Sequence, residues 1–416
     1  MQETPRSNRL HIAIFGKRNA GKSSLINALT NQDIALVSEV AGTTTDPVYK
    51  TMEILPIGPV VIIDTAGIDD EGVLGELRIK KTYKVLNKTE LAIIVVSSEE
   101  GISDFDENVI QRIREKKIPL VGVVNKIDVE NIDEGIIKDW EKKFNFPFVK
   151  VSASNGEGID ALKHTIIEQA NVEKQEKVII GDLIEANDFV VLVTPIDKAA
   201  PKGRMILPQM QTVRDVIDHG AIAVVTRETE LAETLKNLGK KAKLVVTDSQ
   251  AFVKVNELTP LDIPMTSFSI LFARYKGELR ELVLGAKKIK NLKPGDNVLI
   301  CEGCTHHRQE GDIGKDKIPK WIESMAGGKL NFEWTAGTYY PEPDEMKKFD
   351  LIVHCGGCML NPKEMEFRIN QAIENDTAIV NYGVLIGFIT GVLERALEPF
   401  PEVLELFREE DEQGIV

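Results

Sequence analysis

Cysteine is scarce in this sequence: four residues in 416, all inside two short stretches, CEGCTHH at Cys301–His307 and HCGGC at His354–Cys358. So low a content excludes a disulfide-built scaffold, and the grouping with three of the six histidines points to metal binding or thiol chemistry. Long apolar runs are missing too. None reaches the roughly 18–20 residues that a membrane helix needs, so no spanning segment and no membrane partner are expected. The amino terminus, MQETPRSNR, lacks the apolar centre of a signal peptide, which leads us to expect a cytoplasmic protein. There is no basic excess: 51 Lys and Arg against 65 Asp and Glu give a net charge of −14, which argues against nucleic acid as a partner. Short repeats and low-complexity segments are not found. What is present, 43% hydrophobic and 28% charged residues over a length beyond one ordinary core, describes a globular chain of two or three domains.

Apolar β-branched runs alternate with helix-period segments from end to end, which predicts an α/β fold throughout. A first block, 1–172, offers strands at Leu10–Phe15, Val60–Ile63, Leu91–Ser97, Leu120–Val124 and Phe148–Val151, then a helix at Ile159–Gln169. The charged stretch NVEKQEK marks its end. A short second block, 173–263, has strands at Phe189–Thr194, Ala221–Thr226 and Leu244–Val246, with helices near Pro208–Asp218 and Glu228–Leu238. The third, 264–416, has strands at Val298–Ile300, Leu351–His354 and Ala378–Asn381.

In the first block GKRNAGKS, Gly16–Ser23, matches the phosphate-binding loop G-x-x-x-x-G-K-[ST] after a strand and before a helix, the context that this motif requires. Its glycines let backbone N–H groups wrap phosphates at a helix N-terminus. The expected contacts are Asn19, Ala20, Gly21, Lys22, Ser23 and Ser24, with Lys22 supplying charge to the β- and γ-phosphates and Ser23 a hydroxyl to Mg²⁺. Further signals follow in order. GTTTD offers Thr44 as the second Mg²⁺ hydroxyl; DTAG ends a strand and brings the Asp64 carboxylate near the metal and the Gly67 N–H near the γ-phosphate. In NKID, Asn125, Lys126 and Asp128 form a base-recognition set, because the Asp128 carboxylate can accept from guanine N1–H and the exocyclic amine. Adenine has no such donor pair, so GTP is selected over ATP. Ser152 and Ala153 of the SAS segment suit the guanine O6 contact. Lys22, Thr44, Asp64 and Gly67 are the expected catalytic set of a GTP hydrolase.

This block resembles the translation-factor class of GTPases. After DTAG comes Ile68, where Ras-like enzymes carry a glutamine that orients the attacking water. Asn19 within the loop, followed by GTTTD, is similar to the tRNA-modification and Era-like group, in which a monovalent cation held partly by that asparagine replaces an arginine finger. The resemblance implies slow, K⁺-stimulated hydrolysis; the bland alternative is that Asn19 merely tolerates a tight turn.

The second block shows no catalytic set. Lys198, Lys202 and Arg204 read as a solvated loop, and His219 sits at a helix C-terminus, where a basic or hydrogen-bonding residue is common. A unit with so little core of its own is expected to pack against another surface, and dimerisation is the natural form.

In the third block Cys301-x-x-Cys304 with Cys355-x-x-Cys358 has the outline of a four-cysteine zinc site. Zinc ribbons place such pairs on β-hairpin knuckles, whereas here NVLI precedes Cys301 and LIVH precedes Cys355. After Cys358, Asn361 reads as an N-cap, Pro362 as the first helical residue and Glu364 as the partner completing a capping box. Strand–loop–helix units belong to open parallel sheets, whose ligands sit beyond the carboxyl ends of the strands. Both cysteine stretches, with the NYGV segment Asn381–Val384 taken as a loop, are expected at that edge.

C-x-H at Cys304–His306, then 47 residues, then H-C-x-x-C at His354–Cys358, resembles the cluster motif of the [FeFe]-hydrogenase maturation GTPases. HCGGCMLN, NYGVLIG and TPIDKAAPKGRMILPQ match that family as well, so the likeness spans essentially the whole chain. It implies a P-loop GTPase domain followed by a small α/β dimerisation domain and an α/β iron–sulfur cluster-binding domain. It also implies a [4Fe–4S] cluster on Cys304, Cys355 and Cys358, a transient diiron subcluster precursor carried to the apo-[FeFe]-hydrogenase, radical-SAM maturases as partners, and a homodimer. Three thiolates leave one iron with a replaceable ligand, for which His306 is the candidate; His354 is weighed between ligation and a supporting role, and His307 and Cys301 are taken as bystanders. The competing expectation is an RNA-modification or ribosome-assembly GTPase with a structural zinc module.

Overall fold

The computed structural model describes residues 5–30, 47–65, 83–171, 178–195, 205–303, 312–337 and 339–409. The chain divides into two compact units, Met1–Gln175 and Glu176–Val416.

The first unit is built on a six-stranded sheet: β1 (Leu10–Phe15), β2 (Val48–Ile54), β3 (Gly58–Asp64), β4 (Leu91–Ser97), β5 (Leu120–Asn125) and β6 (Phe148–Lys150) in the order β2-β3-β1-β4-β5-β6. All neighbours run parallel except β2, which pairs antiparallel with β3. The central strands are apolar on both faces because helices cover both. Alternate residues of one strand go to opposite cores: Ile12 and Ile14 pack with Leu25, Ile26, Leu162 and Ile166, whereas Ala13 and Phe15 pack with Val109, Ile110, Ile113 and Ile137. Four helices supply these residues: Lys22–Thr30 and Ile159–Asn171 on the first face, Asp104–Glu115 and Glu134–Phe144 on the second. The strand order reverses on either side of β1, the switch point at which open α/β sheets bind ligands. The sheet thus opens its crevice just after Phe15.

The second unit has two all-parallel four-stranded sheets. One joins β7 (Phe189–Val193), β8 (Ile222–Thr226), β9 (Leu244–Thr247) and β10 (Met265–Ser267) in the order β10-β9-β7-β8. The other joins β11 (Asn297–Glu302), β12 (Asn331–Ala336), β13 (Leu351–His354) and β14 (Ala378–Asn381) in the order β12-β11-β13-β14. One continuous apolar core, from Ile179 to Phe400, serves both sheets. The helix Phe268–Lys276 leads from one sheet toward the other. It starts directly after β10, where the Ser267 side chain accepts from Ile270 N at 3.2 Å. The helix Leu279–Lys288 then lies so close to β14 that a Cβ on Gly285 would stand 1.8 Å from the Ile379 carbonyl oxygen. No helix among the described residues is long and apolar enough to cross a membrane.

Candidate functional site

The first unit gathers most of the expected nucleotide residues at the switch point. Gly16, Asn19 and Gly21 have positive φ values of 146°, 63° and 88°, so the loop after β1 turns its backbone inward before the helix begins at Lys22. Two glycines are sterically required: a Cβ on Gly16 would lie 2.2 Å from Val95 O, and one on Gly21 2.2 Å from Asn125 Nδ2. Lys22 is buried and folds back on its own loop, donating to Gly16 O at 2.8 Å and Lys17 O at 2.7 Å. Ala20 is buried, while Asn19 and Ser24 are exposed.

Ser23 and Asp64, distant in sequence, meet at the ends of neighbouring elements: Ser23 Oγ donates to Asp64 Oδ2 at 2.9 Å. Burial pushes the Asp64 carboxyl above its ordinary range, against the opposing pull of the Ser23 bond and the Lys22 and Lys50 charges. A hydroxyl beside a poorly solvated carboxylate is a hard-oxygen pair of the type that Mg²⁺ takes.

The base end is organised through Asn125. Its Nδ2 donates to Ala20 O at 3.0 Å and its Oδ1 accepts from Ala153 N at 3.1 Å, tying the phosphate loop to the SAS segment. Asp128 Oδ1 accepts from Ser152 Oγ at 2.6 Å and Oδ2 from Ser154 Oγ at 2.8 Å. These bonds hold its carboxyl below the usual range, so it presents an ionised, acceptor-only pair. Lys126 has φ 66° and its ammonium lies 3.4 Å from Glu99. Thr44, Gly67 and Ile68 lie outside the described residues, as do Lys198, Lys202 and Arg204.

In the second unit, adjacent β11 and β13 carry Cys301 and the His354–Cys358 stretch to one sheet edge. Cys301 pairs in register with His354, which pairs with Asn381 of β14. Cys301 is fully buried; its Sγ accepts from Thr335 Oγ1 at 3.3 Å, and burial pushes its thiol up to about 12. It is a strand residue packed inside the sheet layer. Cys355 and Cys358 instead follow β13 and are partly exposed. Cys355 Sγ accepts from Gly303 N at 3.1 Å and from Gly357 N at 3.4 Å, which opposes the upward pull of burial on its pKa. Gly357 has φ 59°, and a Cβ there would stand 2.7 Å from Met365 Sδ, whereas Gly356 faces open space. Cys304, His306 and His307 lie outside the described residues, and within the described ones no three His, Cys, Asp or Glu side chains form a group fit for a metal.

His354 takes a supporting position. It is fully buried, Nδ1 donates to Cys355 O at 2.7 Å, and Nε2 accepts from Arg368 Nη1 at 3.0 Å. Arginine has no acceptor, so the tautomer is fixed and neither ring nitrogen has a free lone pair. Burial and the Arg368 charge push its pKa down to about 3. Arg368, 1% exposed, also donates to Gly337 O and Glu364 Oε1. Asn361 caps its helix, Oδ1 accepting from Glu364 N at 3.1 Å, but the Glu364 carboxylate turns to Arg368 instead of closing the expected box. The NYGV segment also differs from its expected loop: Tyr382–Ile389 is helical, and Asn381 caps it by accepting from Val384 N at 2.8 Å.

Lys276 was not singled out from sequence. It is 2% exposed, and its Nζ donates to Gly357 O, Cys358 O and Leu360 O at 3.0, 3.2 and 2.9 Å. Burial pushes its pKa down to about 8, with the Cys358 and Cys355 thiols pulling upward. Its place at the end of a helix reads as an ordinary C-terminal lysine, which hid it.

Three family profiles match the chain in sequence. They are a 50S ribosome-binding GTPase over residues 11–126, a hydrogen maturase F dimerization domain over 179–277, and a hydrogen maturase F tetramerization domain over 280–399. The tRNA modification GTPase MnmE of Chromobacterium violaceum is 36% identical over 160 residues, 38% of this chain and 34% of that protein. The GTPase Der of Mycoplasmopsis pulmonis is 34% identical over 207 residues, 47% of this chain and 46% of that one. The chain thus spans between a third and a half of the length of these curated relatives. Among solved structures, a bacterial selenocysteine-specific elongation factor EF-Sec matches with TM-score 0.34 and 25% identity, over 41% of this chain and 30% of that one.

Proposed function

The chain belongs to the hydrogen maturase F family, and from that premise we propose that it is a GTP-hydrolysing [4Fe–4S] scaffold of [FeFe]-hydrogenase maturation. In this role it receives a diiron subcluster precursor, with radical-SAM maturases as partners, and passes it to the apo-hydrogenase. The single observation that carries the cluster part is the pair of partly exposed cysteines, Cys355 and Cys358, at the carboxyl edge of a parallel sheet, with two backbone N–H groups already aimed at Cys355 Sγ. That donor set fits an iron–sulfur group, whose sulfurs take such bonds, better than a buried structural staple.

Cys304, Cys355 and Cys358 would hold the cluster, and its fourth iron position supplies the exchangeable point for cargo. His306 is the candidate there. His354, with both nitrogens engaged, instead braces the Cys355 carbonyl and the buried Arg368. Cys301 stays a packing thiol.

At the nucleotide site, phosphate binding draws Lys22 Nζ off the loop carbonyls that now hold it. Ser23 and Asp64, with Thr44, would hold Mg²⁺, and the Gly67 N–H would meet the γ-phosphate. Asp128 accepts from guanine, held in line by Ser152 and Ser154, while Asn125, Lys126 and Ala153 frame the base. Asn19 would help to hold K⁺, which would supply the positive charge of an arginine finger, and turnover would be slow. Association is supported by β8, an edge strand that leaves Ile222 and Val225 41% and 46% exposed next to Ile217 at 54%. An open apolar edge is a template for a second copy.

Anaerobic reconstitution with iron and sulfide, read by the visible spectrum and by EPR after reduction, tests the assignment. A colourless protein with one zinc per chain sinks it and favours the zinc-module GTPase. Unchanged hydrolysis on replacing K⁺ by Na⁺ removes the role given to Asn19.

A further inference from the structure

We propose that Lys276 is the positioning residue of the cysteine loop: its buried ammonium fixes the Cys355–Leu360 segment in its ligating shape and sets a positive charge behind whatever that loop binds. The inference rests on the cluster reading above, and it starts from hydrogen-bond counting. Three carbonyls from one short segment, those of Gly357, Cys358 and Leu360, converge on a single nitrogen within 3.2 Å. A neutral amine has two hydrogens and an ammonium three, so only the charged form satisfies all three acceptors.

A charge in this place is costly. Its described partners are three carbonyls and the face of the Phe272 ring, 5.7 Å away, and no carboxylate is among them. A methionine or leucine at the end of the Phe268–Lys276 helix would fill the same core without desolvating an ion. What an apolar residue cannot do is hold three carbonyls of a loop that contains the positive-φ Gly357 and ends at the buried N-cap Asn361. The cation also lies within electrostatic reach of both thiols. In a water-poor site a fixed positive charge favours the reduced, more negative state of an iron–sulfur group, so it raises the reduction potential. The loop is therefore braced from below by a residue that comes from a helix in a different part of the sequence.

The test uses the full chain, reconstituted anaerobically, as wild type, Lys276→Met and Lys276→Gln, with circular dichroism and gel filtration as folding controls. Methionine keeps the length but has no donor and no charge; glutamine keeps two donors without the charge. Three readouts are taken: hydrogen exchange of the amides at 356–361 in the metal-free protein, the rate of iron loss to a chelator, and the midpoint potential by EPR-monitored titration. We expect at least tenfold faster exchange and iron loss in the methionine variant, a smaller effect with glutamine, and a potential more negative than wild type in both. Wild-type exchange and iron retention in the methionine variant overturn the positioning role. An unchanged potential in the glutamine variant overturns the charge. If methionine prevents folding, the glutamine variant carries the same three comparisons. A wild-type protein that assembles no cluster refutes the cluster reading itself, before any variant is compared, and the metal-free exchange measurement still decides the loop clamp.

Discussion

Removing the Arg368 guanidinium should cost the second unit about 3–5 kcal/mol, the usual penalty for breaking a buried ion pair from one side. Arg368 is 1% exposed and its head group is divided among Glu364 Oε1 at 2.9 Å, Gly337 O at 3.1 Å and His354 Nε2 at 3.0 Å, with the Tyr340 ring 5.1 Å from its centre. Arg368→Met keeps most of the aliphatic stem and deletes the donors together with the charge. Each acceptor left behind in a buried setting costs about 1–3 kcal/mol, and one of them is a carboxylate, which sets the upper part of the range. Urea unfolding in a Trp140→Phe background isolates the effect, because the remaining tryptophans, Trp321 and Trp334, both belong to the second unit. Adding Glu364→Gln should recover part of the loss, a coupling of about 1–3 kcal/mol in a double-mutant cycle. A single-variant loss below about 1 kcal/mol, or strictly additive losses, would refute the claim that this cation organises the ground under Cys355.

Cys301→Ser should retain the full iron content at a stability cost of about 1–2 kcal/mol, because it disturbs a buried packing thiol and no ligand; loss of the cluster would show the ligand set to be wrong. Asp128→Asn replaces one of two acceptors with a donor, so GTP affinity should fall at least about tenfold while xanthosine triphosphate, with a carbonyl at that edge, gains; isothermal titration with both nucleotides checks this. Asp106 is 2% exposed, Oδ2 accepts from Ser103 N and Oγ, and Oδ1 is buried without a hydrogen-bond partner. Burial holds its folded pKa above the unfolded 3.8, so the ionised form costs stability above the folded value and that cost is relieved as pH falls through it. Asp106→Asn should therefore cost no more than about 0.5 kcal/mol near neutral pH, and its standing relative to wild type should worsen on acidification; a large neutral-pH loss in thermal unfolding would contradict this.

The strands at Leu10–Phe15, Leu91–Ser97, Leu351–His354 and Ala378–Asn381 were legible to the residue, because parallel strands buried on both faces are written as unbroken apolar runs. Three strands escaped, β2, β10 and β12, and all three lie at sheet edges. VYKTMEI and NFEWTA expose polar residues on alternate positions, and MTS is three residues long directly after a proline. Edge strands are specified by the neighbour they pair with more than by their own composition, so a reading of local patterns finds them last. The nucleotide motifs were legible for the opposite reason: the phosphate loop, the Asp64 strand end and the Asn125–Asp128 segment each need fixed residue types at fixed spacing.

The cysteine loop divides in the same way. Its ligand candidates announce themselves as CGGC, but what holds them comes from Lys276 and Arg368, which carry no motif. Arg368 did leave a trace in helical period: with Met365, Ile369 and Ala372 it falls on one face of Pro362–Glu374, and all four are buried. A cation on the apolar stripe of a helix has to find acceptors inside the protein, since the stripe gives it no water. Here the acceptors are His354, the Gly337 carbonyl and the Glu364 carboxylate, and the residue that follows His354 is Cys355. Lys276 repeats the pattern from another helix, buried and bonded to the carbonyls of Gly357, Cys358 and Leu360. Two buried cations, one upstream and one downstream of the thiol loop in the sequence, make the loop's shape a property of the folded unit rather than of the HCGGC segment, so that a peptide carrying the same five residues should bind iron far less tightly than the protein does.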